Sequence, residues 1–136
     1  MRGASVFFDT SVLLYLLSED DKKADRVEAL LQDSGNVGVQ VLNEFAAVSR
    51  GKLGMSFAEI REILATVRAV CRTHPLMVET HDRAIEIAER YEFSVHDSVI
   101  VASAYLAGCK TLYAEDLQHL QVIEGQLTLI NPFLPR

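Results

Sequence analysis

Cysteine is scarce in this chain. Cys71 and Cys109 are its only two, and they form neither a CxxC pair nor any other metal-ligand spacing. Both fall in apolar stretches that read as helical, so buried free thiols are expected. No run of the sequence resembles a membrane span. The opening apolar run, "SVFFDTSVLLYLL" at residues 5–17, falls short of the roughly 20 residues a span requires, and Asp9 interrupts it. Only Arg2 stands before it as a cation and no small-residue cleavage site follows, so it is not expected to be a signal peptide. A cytoplasmic location is the expectation. Neither GxxxxGK[ST] nor GxGxxG occurs, which leaves a P-loop or a dinucleotide site without support. His74, His81, His96 and His119 show no HxxxH or HExxH spacing. Low-complexity segments, linkers and internal repeats are missing as well. So is an excess of basic residues: 13 Lys and Arg stand against 19 Asp and Glu, for a net charge of −6. That balance argues against a general binder of phosphate backbones. It leaves room for an enzyme that gathers acids in one place to hold metal ions.

What is present is material for one core. Hydrophobic residues make up 49% of the 136 and charged residues 24%, an ordinary globular composition that fits a single domain. Residues 4–8 read as a strand of β-branched and aromatic residues, and Thr10 or Ser11 can cap a helix running to about residue 18. Residues 22–31 are helical in pattern, with Ala24, Val27, Leu30 and Leu31 on one side. Turn residues follow in "DSGNVGV", then a second strand at 37–39 and a helix at 41–53. Ser56 opens the clearest helix, with Glu59 three residues on as a capping box. Its apolar period runs through Phe57, Ile60, Ile63, Leu64, Val67, Val70 and Cys71. A short strand is expected at 76–78 and a helix at 82–91. Another helix opens at Ser94 and ends at Gly108, a C′ glycine. Strands at 111–114 and 127–130 close the chain. This alternation predicts an α/β fold, a three-layer α/β/α sandwich with a mainly parallel central sheet.

In parallel sheets, ligands bind outside the carboxyl ends of the strands. Asp9 directly follows the first strand, and Thr10 and Ser11 can fix its orientation. Asp116 follows "TLYA", with Glu115 beside it. Glu44 lies just inside the helix after the second strand, and Asp97 in the first turn of the Ser94 helix. If these elements share one rim, four acids converge. Clustered carboxylates repel and raise each other's pKa, which cations can offset. Hard divalent ions such as Mg²⁺ and Mn²⁺ prefer oxygen ligands. Two such ions about 3.5–4 Å apart support in-line displacement at a phosphodiester. Each acid also has a plainer reading. Asp9 can cap a helix, Asp97 can sit at a helix N-terminus, Glu44 can be solvated, and Glu115 or Asp116 can open a turn.

The segments "FFDTSVLLYLL", "VQVLNEFAAV", "FSVHDSVIVASAYLAGC" and "TLYAEDLQHLQVIEGQLTLINPF", in this order, resemble the PIN-domain ribonucleases. The resemblance is strongest to the toxin subunits of VapBC-type toxin–antitoxin pairs. It covers nearly the whole chain and implies one PIN domain over residues 1–136. It also implies a metal-dependent endoribonuclease with Asp9, Glu44, Asp97 and Asp116 as the acidic site and Mg²⁺ or Mn²⁺ as cofactor. Asp9 would be a direct ligand, and Asp97 and Asp116 ligands directly or through water. Glu44 would orient a water at the ion or stand behind the direct ligands. Ser11 occupies a small polar position that is often Asn in the family. Glu115 is left as a possible substitute or assistant for Asp116. The implied partners are an RNA substrate, a VapB-like antitoxin that lays a segment across the acids, and a second copy of the chain in a homodimer.

Two other functions compete. An aspartate after the first strand also serves as nucleophile in haloacid-dehalogenase-like phosphatases. Those carry a second Asp two residues on, where this chain has Ser11. A PIN fold that binds without cleaving is the other alternative. Arg50 and Lys52 could touch RNA phosphates or merely be solvated. Arg61, Arg68 and Arg72 form a polar helix face with or without RNA. Phe45 and Tyr105 are expected in the core or a dimer contact.

Overall fold

The apolar run at the start of the chain becomes the centre of the sheet. Val6–Phe8 forms strand β1, and Phe7 and Phe8 are fully buried. Burying each ring stabilises the fold by roughly 1.5–3 kcal/mol. The chain then turns directly into a short helix α1 (Thr10–Leu13) and a 3-10 turn (Leu14–Leu17), with Val12 and Leu13 fully buried. The computed structural model describes residues 5–135. Ala4, expected as the first strand residue, lies outside the described residues.

The remaining elements are α2 (Asp21–Gln32), β2 (Gly35–Gly38), α3 (Val39–Gly51), α4 (Phe57–Val70), β3 (Cys71–His74), α5 (Val78–Tyr91), α6 (Val95–Leu106), β4 (Thr111–Tyr113), β5 (Val122–Ile123) and β6 (Leu127–Ile130). The six strands lie in the order β3-β2-β1-β4-β6-β5. All neighbours are parallel except β5 and β6. The chain steps from β1 to β2 to β3 in one direction, then crosses back through α5 and α6 to β4. Right-handed crossovers place connections running in opposite directions on opposite faces. The expected α/β sandwich with a mainly parallel sheet is thus what forms. The order reverses between β1 and β4, so the carboxyl ends of these two strands flank the topological switch point.

Close approach within the sheet depends on one glycine. A Cβ on Gly35 would stand 2.5 Å from Cε2 of Phe8, so the β2 backbone lies against that ring only because no side chain intervenes. Buried Asn36 donates to the Val6 carbonyl at 2.9 Å and pairs with His74 Nε2 at 2.8 Å.

Several boundaries differ from expectation. The third strand is Cys71–His74 and not 76–78, because the apolar period of α4 carries into Cys71 without a break in hydrophobicity. Cys71 is therefore a strand residue, and Cys109 lies in the turn after α6; both are buried free thiols, as expected. Helix α5 begins at Val78, four residues before the expected start, and α3 begins at Val39. The two-residue β5 was not anticipated. The Ser56 capping box forms in both directions, at 3.1 Å and 3.0 Å. Gly108 takes φ +77 after the C-cap Ala107, as a C′ glycine does. Phe45 is fully buried. Arg50 closes its own turn, donating to the Met55 carbonyl at 3.0 Å and covering the Phe57 ring.

Candidate active site

Asp9 leaves β1 in extended conformation, its backbone N–H donating to the Tyr113 carbonyl of β4 at 2.9 Å. Its side chain is the N-cap of α1, as the plainer reading of Asp9 has it, and not Thr10 or Ser11, the other capping candidates. The Ser11 backbone N–H donates to Asp9 Oδ2 at 3.1 Å and the Ser11 hydroxyl to the same oxygen at 2.5 Å. Among the described residues Oδ1 receives no hydrogen bond, so one carboxylate oxygen is left for another partner. Capping and site chemistry coincide in this residue.

Asp9 is only 8% exposed. Its carboxyl is pushed up to about 6, chiefly by burial and to a lesser extent by the charges of Asp97 and Glu44, against the lowering effect of both Ser11 bonds. Three acids far apart in sequence therefore share one electrostatic field. Asp97 arrives there because Ser94 caps α6, accepting from the Asp97 backbone N–H at 3.1 Å. That bond fixes the first turn and leaves the Asp97 carboxylate uncommitted by the cap.

Glu44 stands in the second turn of α3, half-buried. Thr10 Oγ1 donates to its Oε1 at 2.9 Å and Gln40 Nε2 to its Oε2 at 2.9 Å. Thr10 thus orients Glu44 and not Asp9, while Ser11 orients Asp9 as expected. Neither Thr10 nor Gln40 was singled out as a support for Glu44. The signal available was the four-residue spacing of Gln40 and Glu44, which places them on one helix face. His96 Nδ1 lies 3.8 Å from Glu44 Oε2 on an exposed imidazole.

The fourth acid sits to one side. Asp116 is exposed and lines a cavity of about 290 Å³ with Ser11, Leu14, Tyr15, Ser18 and Glu115. Ser11 borders this cavity and bonds Asp9, so the two acids flank the same serine. Glu115 is committed elsewhere. Lys23 Nζ pairs with its Oε2 at 2.7 Å and the Tyr15 hydroxyl donates to its Oε1 at 2.5 Å. Partial burial raises the Glu115 pKa, but these two bonds outweigh it and hold the carboxyl below its ordinary value. The Glu115 backbone N–H donates to Ser11 Oγ at 3.1 Å.

Among the described residues, no three His, Cys, Asp or Glu side chains close into a ready-made ion cage. Mg²⁺ does not require one, because it keeps several waters and is commonly held by one or two carboxylates. A carboxylate with one uncommitted oxygen, raised in pKa chiefly by burial and further by two neighbouring acids, has the donor chemistry that a hard cation fits. His96 and the buried thiols add no such set.

A family model, that of the PIN domain, matches residues 6–124. Solved structures of similar fold include a toxin–antitoxin complex from Klebsiella pneumoniae, 17% identical with TM-score 0.71, covering 95% of this chain and 98% of that one. Another is VapC20 of Mycobacterium tuberculosis, described as a sarcin–ricin loop cleaving toxin, 21% identical with TM-score 0.67 and covering 82% and 90%. A third is VapBC2 of Rickettsia felis bound to a promoter DNA fragment, 17% identical with TM-score 0.66 and covering 91% and 96%. No curated protein sequence matches the chain. At these identities the structural likeness is one of fold, while the family model spans most of the sequence. The chain belongs to the PIN-domain family.

Proposed function

We propose that this chain is a metal-dependent endoribonuclease and the toxin of a toxin–antitoxin pair. The observation that carries the reading is Asp9: a carboxylate at the switch point with one oxygen uncommitted, its pKa raised chiefly by burial and further by the charges of Asp97 and Glu44. When bound, Mg²⁺ or Mn²⁺ supplies positive charge that offsets these acids and polarises the phosphate and the attacking water. Asp9 would hold the ion directly, and Asp97 and Asp116 directly or through water. Ser11 keeps Asp9 in place from below. Thr10 and Gln40 hold Glu44 as an acceptor, suited to orienting a water by its proton. Hydrolysis adds the water oxygen to phosphorus and releases the other RNA oxygen with a proton.

The toxin assignment draws on the similar structures, which include two toxin–antitoxin assemblies and a toxin described as cutting the sarcin–ricin loop. A VapB-like antitoxin carrying Arg or Lys would meet the acidic rim with charge-assisted bonds. A homodimer belongs to the same reading, as does a cytoplasmic location, where an RNA substrate is found. No helix among the described residues is long and apolar enough to cross a membrane. The alternative is a PIN fold that binds without cutting. It gains from the open spacing of the acids and the net charge of −6.

Incubation of the purified chain with structured and single-stranded RNA, in Mn²⁺ or Mg²⁺ and in EDTA, tests the proposal. Cleavage with metal that stops in EDTA is the expected result. RNA binding without cleavage in saturating Mn²⁺ would favour the alternative, and equal cleavage in EDTA would remove the metal from the mechanism.

A further inference from the structure

The turn after β4 delivers two consecutive acids to the rim, Glu115 and Asp116, and only one is left uncommitted. Glu115 is drawn into a latch built from four parts of the chain. Lys23 of α2 pairs with its carboxylate at 2.7 Å. Tyr15 of the 3-10 turn donates to the same carboxylate at 2.5 Å and accepts from Lys23 Nζ at 3.1 Å. The Lys23 ammonium stands 4.5 Å from the centre of the Tyr15 ring and 5.0 Å from that of Phe133, and the two rings meet edge to face at 4.8 Å. The ammonium is thus fixed by a carboxylate, a hydroxyl and two aromatic faces, an arrangement far more ordered than an exposed ion pair.

The latch reaches the candidate active site through the main chain. The Glu115 N–H donates to Ser11 Oγ, and that hydroxyl donates to Asp9 Oδ2. The residue whose carboxylate Lys23 and Tyr15 grip is therefore the one whose backbone N–H orders the hydroxyl on Asp9, and the next residue is Asp116. We infer that Lys23 and Tyr15 are positioning residues: by holding Glu115 they keep its carboxylate out of the acidic rim, leave Asp116 as the acid this turn contributes, and set Ser11 against Asp9. This assignment rests on the nuclease reading for its consequence in catalysis, though not for the latch itself. Without Lys23, a fifth carboxylate would be free to compete with Asp116 and to add repulsion to the rim.

The test uses the whole chain as Lys23→Met, which keeps the stem over the rings, as Lys23→Arg, which keeps the charge, and as Tyr15→Phe, which removes only the hydroxyl. Amide hydrogen exchange by NMR in EDTA reads the latch without metal or RNA. Lys23→Met and Tyr15→Phe should speed exchange of the Glu115 amide about tenfold while Leu112 in β4 stays protected, and Lys23→Arg should resemble the parent. Unchanged protection of Glu115 in both Lys23→Met and Tyr15→Phe overturns the latch. Manganese affinity by EPR reads the choice of acid: Asp116→Asn should weaken binding more in the parent than in Lys23→Met, where the freed Glu115 can substitute. Equal losses in the two backgrounds overturn that choice. In RNA cleavage, Lys23→Met should lower kcat by about tenfold with KM unchanged, and Lys23→Arg should restore it. A parent chain that cuts no RNA would refute the nuclease reading, while amide exchange would still decide the latch.

Discussion

Asp9 shows how one residue serves the fold and the proposed chemistry at opposite cost. As a cap it satisfies the start of α1, but as a buried carboxylate it resists ionisation, with its pKa pushed up to about 6 from 3.8. The folded chain binds this proton more tightly than the unfolded chain does. Stability from this group is therefore full below pH 4 and is lost as pH rises through 6. The loss comes to about 3 kcal/mol at 1.36 kcal/mol per pKa unit. Asp9→Asn keeps an acceptor for Ser11 and removes the charge. Thermal melts in EDTA should show the variant more stable than the parent at pH 8, with the gap closing near pH 4. A variant that melts lower at pH 8 would show that the charge is not the dominant cost. The sequence displayed this residue plainly, since an acid between two apolar runs has few reasons to be there. It did not display Thr10, Gln40 and Lys23 as supports. Their partners are set by how α1, α2 and α3 meet, which local periodicity does not encode.

At the scale of elements, α2, α5 and the apolar strand β1 were legible because their apolar patterns match their burial, whereas the α4 period includes Phe57 and Val70, which are exposed. Val27 and Leu31 of α2, and Ala84 and Ile87 of α5, are buried as their spacing predicts. The elements misplaced were those without such a signal. β3 is an edge strand of mostly polar residues, Arg72, Thr73 and His74, joined to α4 without a turn. The start of α5 is masked by Val78, 78% exposed at its first position. α5 ends at Glu92, which takes φ 60 in the left-handed region. A side chain is disfavoured there, so Glu92→Gly should raise stability by about 0.5–1 kcal/mol in urea unfolding. A loss of similar size would mean that Glu92 makes a compensating contact.

For the whole molecule, under the proposed nuclease function, the net charge of −6 and the acids near Asp9 together set how RNA would be met. Phosphates and carboxylates repel until a divalent ion stands between them. RNA affinity, measured by filter binding, should be at least about tenfold tighter in Ca²⁺ than in EDTA at constant ionic strength. Equal affinities would place RNA on a surface away from the acids. The fold brings Asp9, Glu44 and Asp97 into one electrostatic field from β1, α3 and α6, while Asp116 stands to one side beside Ser11. That meeting of the three acids is a property of strand order, invisible in any single segment.

The central claim is that the Asp9 carboxylate is the chemical heart of this site. Single-turnover cleavage of one RNA, in saturating Mn²⁺ at pH 7.5, compares the parent with a folded Asp9→Asn chain most directly. The account predicts that the variant loses at least about a hundredfold in rate while melting, in EDTA, no lower than the parent. A folded variant that cuts RNA at the parental rate would contradict it.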